Sequence, residues 1–197
     1  LADQTLDSVV DIVVRVRELA VRANSSTLND EQRSAISTEV ASLRENLVVL
    51  ANRRNIAGHA LFGGQTAGNA YVDNGTGVQF VGTPDITPLE IGEGQSVEPG
   101  LAGPEIFEFT TANGPTDLFA VLGNLAAALA TGGQTAMDAS SAALEELDIG
   151  LEKVTTAQTV VGSRLNWIDL MSDRRENNAE RIAEERADVG GADIAVT

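Results

Sequence analysis

The chain has no cysteine, which excludes a disulfide framework, a thiolate nucleophile and any zinc–thiolate site. Its single histidine, His59, is too few for a metal cluster built on several imidazoles. Aromatic residues are scarce, with five Phe, one Tyr and one Trp among 197 residues. The hydrophobic content of 43% therefore rests on Ala, Val, Leu and Ile. That content excludes a disordered chain, and small or branched aliphatics suit thin helix–helix seams. Bases are few as well: 13 against 29 acids, for a net charge of −16. Such a charge repels phosphates and anionic lipid, so neither nucleic acid nor membrane is an expected partner. No run approaches the roughly 20 apolar residues that a membrane-spanning helix needs. No charged–apolar–small signal segment opens the chain. The first residue is Leu1 rather than Met, inside a helical pattern, so the sequence reads as an excerpt of a longer one. No G-x-S-x-G elbow surrounds any serine. Gly75-Thr76-Gly77 and Gly132-Gly133 lack the Gly-x-x-x-x-Gly-Lys frame of a phosphate loop. The expectation is a non-catalytic protein with no cofactor and no metal.

What is present is helical periodicity, interrupted once. Leu6, Val9, Val13, Val16, Ala20 and Ala23 recur at alternating three- and four-residue spacing, which predicts a helix from Leu1 to about Asn24. Ser25-Ser26-Thr27 breaks it, and Asn29 then caps a second helix with Gln32 at the capping-box position. Ile36, Val40, Leu43, Leu47, Leu50, Ala57 and Leu61 continue the rhythm, with Arg54 in the one slot that breaks it. This helix is expected to end near Gly63-Gly64, with His59 beside its last turn, where a positive charge suits a helix C-terminus.

From about Gln65 to Thr111 the texture changes. Gly, Pro, Asn and Asp separate the short runs 70–72, 78–81, 89–91 and 106–109, and several of these alternate apolar and polar. Asp73-Asn74-Gly75 and Gly92-Glu93-Gly94 are turn signals. This segment reads as a β-rich insertion with a small core of its own. Thr116 or Asp117 then caps a short helix through Leu118, Leu122, Leu125 and Leu129, ending at Gly132-Gly133. A long helical pattern follows from about Thr135 to Asp188. Its seam runs Leu144, Leu147, Leu151, Val154, Gln158, Val161, Leu165, Ile168, Ser172, Arg175, Ala179 and Ile182. Gly150 and Gly162 mark places where it could kink, and Trp167 reads as packing at the edge of the seam.

The fold class expected is mainly α: an elongated antiparallel helical rod, residues 1–64 and 112–197, with a small β-rich inserted domain at 65–111. Both chain ends should lie at one end of the rod and the insert at the other. Aspartate at either Leu147 or Leu165 should unfold such a rod.

Arg15-Val16-Arg17-Glu18-Leu19-Ala20-Val21-Arg22-Ala23 resembles a stretch that opens the rod domain of bacterial flagellins, and 26–43, with Leu28-Asn29-Asp30-Glu31-Gln32-Arg33, resembles its second helix. Three further segments resemble the hook-associated protein 3 family, the hook–filament junction proteins. These are Leu50-Ala51-Asn52 followed by Leu61-Phe62-Gly63-Gly64, then Val160-Val161-Gly162-Ser163-Arg164-Leu165-Asn166, and loosely Ile91-Gly92-Glu93-Gly94-Gln95 with Ile106-Phe107. The resemblance implies a flagellin-like rod and a mechanical role. The chain would be exported through the flagellar secretion channel, with the help of an export chaperone, to the extracellular flagellum. Its partners would be the adjacent hook-associated protein on the hook side, flagellin on the filament side, and copies of itself in the layer.

Within that reading, Arg15, Arg17, Arg22, Arg44, Arg53 and Arg54, together with Arg33, form a basic cluster in an acidic chain and are candidate subunit contacts. Glu180, Glu184 and Glu185 lie in a mixed-sign run with Arg181, Arg186 and Asp188. That run reads either as a solvated helix face or as the complementary contact. Two alternatives stand beside the junction role: a flagellin filament subunit, and a secreted adhesin or binding module on a helical stalk.

Overall fold

A computed structural model describes residues 1–194 apart from Glu93, and of 188–194 the backbone alone. The Gly92-Glu93-Gly94 turn at Glu93, and the side chain of Asp188, thus lie outside the described residues.

Helix α1 spans Ala2–Ala23. All six seam positions from Leu6 to Ala23 are fully buried. Helix α2 spans Asp30–Ala51, opened by the reciprocal capping box of Asn29 and Gln32. Buried Arg33 closes the turn between the two helices, because its guanidinium donates to the carbonyls of Ala23, Ser25 and Leu28. Helix α4 spans Leu118–Thr131, capped by Asp117, whose carboxylate accepts from the Ala120 amide. Its leucines 118, 122, 125 and 129 are all buried. Helix α5 spans Gly133–Ile194, roughly 93 Å at 1.5 Å per residue. The α4–α5 turn is fixed to the start of α2, since the Gly133 amide donates to Asp30 Oδ1 over 2.9 Å.

The helices pack in the cyclic order α1, α2, α4, α5, an up-down-up-down bundle. The rungs between α1 and α5 are Asp7–Gln158, Arg17–Asp148 and Asn24–Ser141. The fold is the expected mainly α rod with small β elements between its second and third long helices.

Among the described residues the β elements are three separate two-stranded antiparallel hairpins. Strands β1 (Tyr71–Asp73) and β2 (Val78–Phe80), β3 (Leu89–Gly92) and β4 (Gln95–Val97), and β5 (Glu108–Thr111) and β6 (Gly114–Asp117) pair in turn. A lone two-stranded hairpin is marginal in water, and each of these leans on a helix.

Several expectations need correction. Helix α2 stops at Ala51, twelve residues short of Gly63, and the side-chain carboxamide of Asn52, its C-cap, exchanges hydrogen bonds with the backbone N–H and C=O of Tyr71. Ala57 and His59 are consequently exposed loop residues, not helix, and His59 flanks no helix terminus. Ile106 and Phe107 belong to a short helix α3, Gly103–Phe107, instead of a strand. Both are fully buried, which one helical turn allows and strand alternation does not. Glu105 starts that turn by accepting from the Ala102 amide.

The insert has no separate core. Tyr71 and Phe107 pack against each other and against Phe119 of α4, and Phe107 meets Phe62 edge-on, in one continuous cluster with the bundle. Nor does the insert sit at the far end from Leu1. Helices α1 and α2 are each 22 residues long, so the chain returns to its starting level before the insert begins. Ala2 and Leu101 line the same cleft.

Helix α5 runs unbroken through Gly150 and Gly162. Gly150 serves close packing: a Cβ there would come within 2.6 Å of Leu118 and 3.2 Å of Phe109. Past Val161 no helix among the described residues covers the seam, and Leu165, Ser172, Arg175, Ala179 and Ile182 are exposed.

Candidate assembly surfaces

The arginines singled out from sequence divide by what they touch. Arg15 forks to Glu39 on α2 at 2.7 Å and Glu18 at 3.1 Å. Arg17 reaches Asp148 on α5 at 2.6 Å. Both pairs are half-exposed, so they tie helices together weakly. Arg44 joins α2 to the β1–β2 hairpin through Asp73 at 2.9 Å, and also donates to the Phe119 carbonyl. The Gly75 amide first, then the Arg44 guanidinium, hold the Asp73 carboxyl below its ordinary range. Arg22 and Arg53 are exposed and make no ion pair among the described residues. Arg33 is buried in the α1–α2 turn and presents no surface.

Arg54, the residue that broke the heptad, organises the loop that replaces the end of α2. Its guanidinium donates to the carbonyls of Gly58 and Ala67 and to Asn69 Oδ1. Asn55 closes the same loop, its Oδ1 accepting from the amides of Ala57 and His59, and Gly58 supplies the positive φ of 84°. At the tip, the Ile56 side chain is wholly in solvent. Beside the loop a cleft of about 480 Å³ is lined by Ala2, His59, Leu61, Ile86, Pro99 and Leu101 among others.

A larger groove of about 860 Å³ runs between α2, α4 and the β1–β2 hairpin. Ala120, Gly123 and Ala127 line it together with Glu45, Asp73, Asp117 and Arg44, whose side chain lies over Gly123. Burial pushes the Asp117 carboxyl above its ordinary range, against the lowering effect of the Ala120 and Phe119 amides and of Arg44.

The third surface is the stretch of α5 past Val161. Arg164 donates to the Gly100 carbonyl and pairs with Glu98 at 3.4 Å, which pins the insert to this helix. Hairpin β3–β4 lies against Ile168 and Met171. Leu165, Trp167 and Leu170 stay 38–46% exposed. Further along, Glu180, Glu184 and Glu185 are exposed, with no ion pair among the described residues. These glutamates and the arginines of α1 and α2 are not brought together within one chain.

Sequence reasoning missed the Ile56 loop and the groove. Asn52, Asn55 and Gly58 carried the signal for the loop, but the apolar rhythm through Ala57 and Leu61 masked it.

Comparison with known proteins places this geometry. Residues 1–67 match the bacterial flagellin N-terminal helical region. Flagellar hook-associated protein 3 of Escherichia coli (strain K12) is 26% identical over 204 residues, covering 93% of this chain. The chain resembles hook-associated protein 3 along most of its length. It spans 64% of that relative. Among solved structures, FlgL from Xanthomonas campestris matches with a TM-score of 0.85 at 18% identity, over 94% of this chain and 91% of that one. Flagellin from Bacillus cereus matches with a TM-score of 0.50 at 18% identity, over 85% and 77%. At such identity these two likenesses speak for the fold alone. The fold is closer to that of the Xanthomonas campestris FlgL structure than to that of this flagellin.

Proposed function

We propose that the chain is a structural, non-catalytic subunit of the bacterial flagellum that joins the hook side to the flagellin filament. The observation that carries this is the match to hook-associated protein 3 over 93% of the chain. The closer fold likeness to FlgL than to a flagellin supports it over the filament-subunit alternative. In this reading the chain is exported through the flagellar channel, with an export chaperone, and works outside the cell. It contacts the neighbouring hook-associated protein on one side, flagellin on the other, and copies of itself within the layer. The rod, residues 1–64 and 112–197, carries the contacts, and 65–111 is the inserted unit. Of the candidate contact residues, Arg22, Arg53, Glu180, Glu184 and Glu185 have no ion pair among the described residues and are the ones available to neighbours.

Immunogold labelling of a tagged chain on isolated flagella tests the proposal. The expected result is a single band where hook meets filament. Label along the filament would make the chain a flagellin, and label on the cell surface away from flagella would favour the adhesin alternative.

A further inference from the structure

The chain between Thr83 and Gly103 leaves the body and returns to it at one place. The Thr83 amide donates to the Gly63 carbonyl over 3.0 Å, and the Gly103 amide donates to the carbonyl of the preceding residue, Phe62, over 2.8 Å. The Gln65 amide adds a bond to Thr83 Oγ1. Gly64 allows this crossing, because its φ is +62° and a Cβ there would lie 1.9 Å from the Thr83 carbonyl oxygen. Both ends of the excursion are thus clamped to two adjacent residues, a narrow neck.

Beyond the neck the excursion carries hairpin β3–β4 and rests on α5. Among the described residues, Arg164 makes the only hydrogen bonds from 84–100 to the rest of the chain, to the Gly100 carbonyl and to Glu98 at 3.4 Å. Ile91 and Val97 are buried, yet neither belongs to the continuous cluster shared by the bundle and the aromatic residues. Leu89 and Ile91 line one small cleft with Ile168, Met171 and Arg175. Arg164, Ile168, Met171 and Arg175 recur at three- and four-residue spacing, so the excursion lies along one stripe of α5. The hairpin β1–β2 is held quite differently, by Asn52, by Arg44 and by Tyr71 in the aromatic cluster. A segment with few buried apolar contacts and few bonds to the body opens at low free energy while the body stays folded.

We propose that residues 84–100 are a strap, hinged at the Phe62-Gly63 neck and latched by Arg164, that covers Ile168 and Met171 and opens as a unit without unfolding the bundle. Leu165, Trp167 and Leu170 are already exposed beside it. Residues three and four apart are neighbours on a helix, so lifting the strap joins these five side chains into one apolar face. Contiguous exposed apolar patches invite association. The strap divides that face in the isolated chain, and the Arg164 latch sets how often the whole of it is presented. This device goes beyond the flagellar reading and does not depend on it.

Because the chain has no cysteine, access beneath the strap is read with one introduced thiol. Met171→Cys lies under the hairpin, and Val154→Cys, at a fully buried position of the bundle, is the control. Each purified chain is reacted with a maleimide under native conditions, with and without Arg164→Ala. The expected result is several-fold faster labelling of Met171→Cys when Arg164→Ala is added, with the Val154→Cys control and the thermal midpoint unmoved. Replacing 84–100 by a short Gly-Ser bridge across the neck should bring Met171→Cys to the labelling rate of Asn178→Cys, an exposed position further along α5. An unchanged rate with Arg164→Ala would overturn the latch. A parallel rise in the Val154→Cys control would mean that the bundle itself loosens, and loss of the bundle's melting transition on removing 84–100 would make the segment part of the folded body. Either of these would overturn the strap.

Discussion

Arg33 and Tyr71 are both buried, and their polar atoms are in opposite states. Arg33 satisfies three backbone carbonyls that the end of α1 and the following turn would otherwise leave unpaired. Replacing it with alanine strands those groups in an apolar setting, at a cost on the order of 3 kcal/mol. Denaturant unfolding of Arg33→Ala should show that loss, and an unchanged midpoint would mean water replaces the guanidinium freely. The Tyr71 hydroxyl has no hydrogen-bond partner among the described residues. It is pressed against Gly103, where any Cβ would lie 2.4 Å away, and burial pushes its phenol well above the ordinary value. Tyr71→Phe keeps the ring contacts and removes the orphan hydroxyl. It should leave stability unchanged within about 1 kcal/mol or raise it, and a larger loss in thermal unfolding would show that the hydroxyl is bonded after all. Neither residue announced itself in sequence. Arg33 read as one more surface base, because the turn it closes exists only once two helices meet.

The helices were legible to within a residue or two wherever a partner helix lay alongside. The α1 seam, the α2 capping box, the Asp117 cap and the α4 leucines all follow from spacing and local chemistry, which act within one turn. Two failures share a cause. The rhythm through Ala57 and Leu61 looked like more α2, and the rhythm through Leu165 and Ile182 looked like more buried seam. Periodicity reports that a stripe could be buried but is silent on what covers it. Leu147 is fully buried, whereas Leu165 is 39% exposed. Leu147→Asp should therefore unfold the bundle, since it buries an unpaired carboxylate at several kcal/mol. Leu165→Asp should change stability by no more than about 0.5 kcal/mol in the isolated chain. Circular dichroism melts of the two variants separate the cases, and equal destabilisation would place Leu165 in a packed seam.

At the scale of the whole molecule, the bundle buries one side of α5 for half its length and leaves the rest partly apolar and uncovered. The insert is held at the same end by Asn52, Arg44 and Arg164. The molecule is therefore one helical body with its unpaired surfaces gathered at the insert end and along α5. That distribution suits a subunit completed by neighbours better than a free enzyme or carrier. Of the candidate site, the sequence exposed the basic cluster but not its use. Four of the arginines spend their charge inside the chain, on partners such as Asp148 and Asp73 that lie far away in sequence.

The most direct test of the central claim is electron microscopy of cells lacking this gene, paired with a blot for flagellin in the medium. The account predicts hooks without filaments, with flagellin lost to the medium. Normal filaments would contradict the junction role, and bare hooks with no flagellin made at all would make this chain the filament subunit.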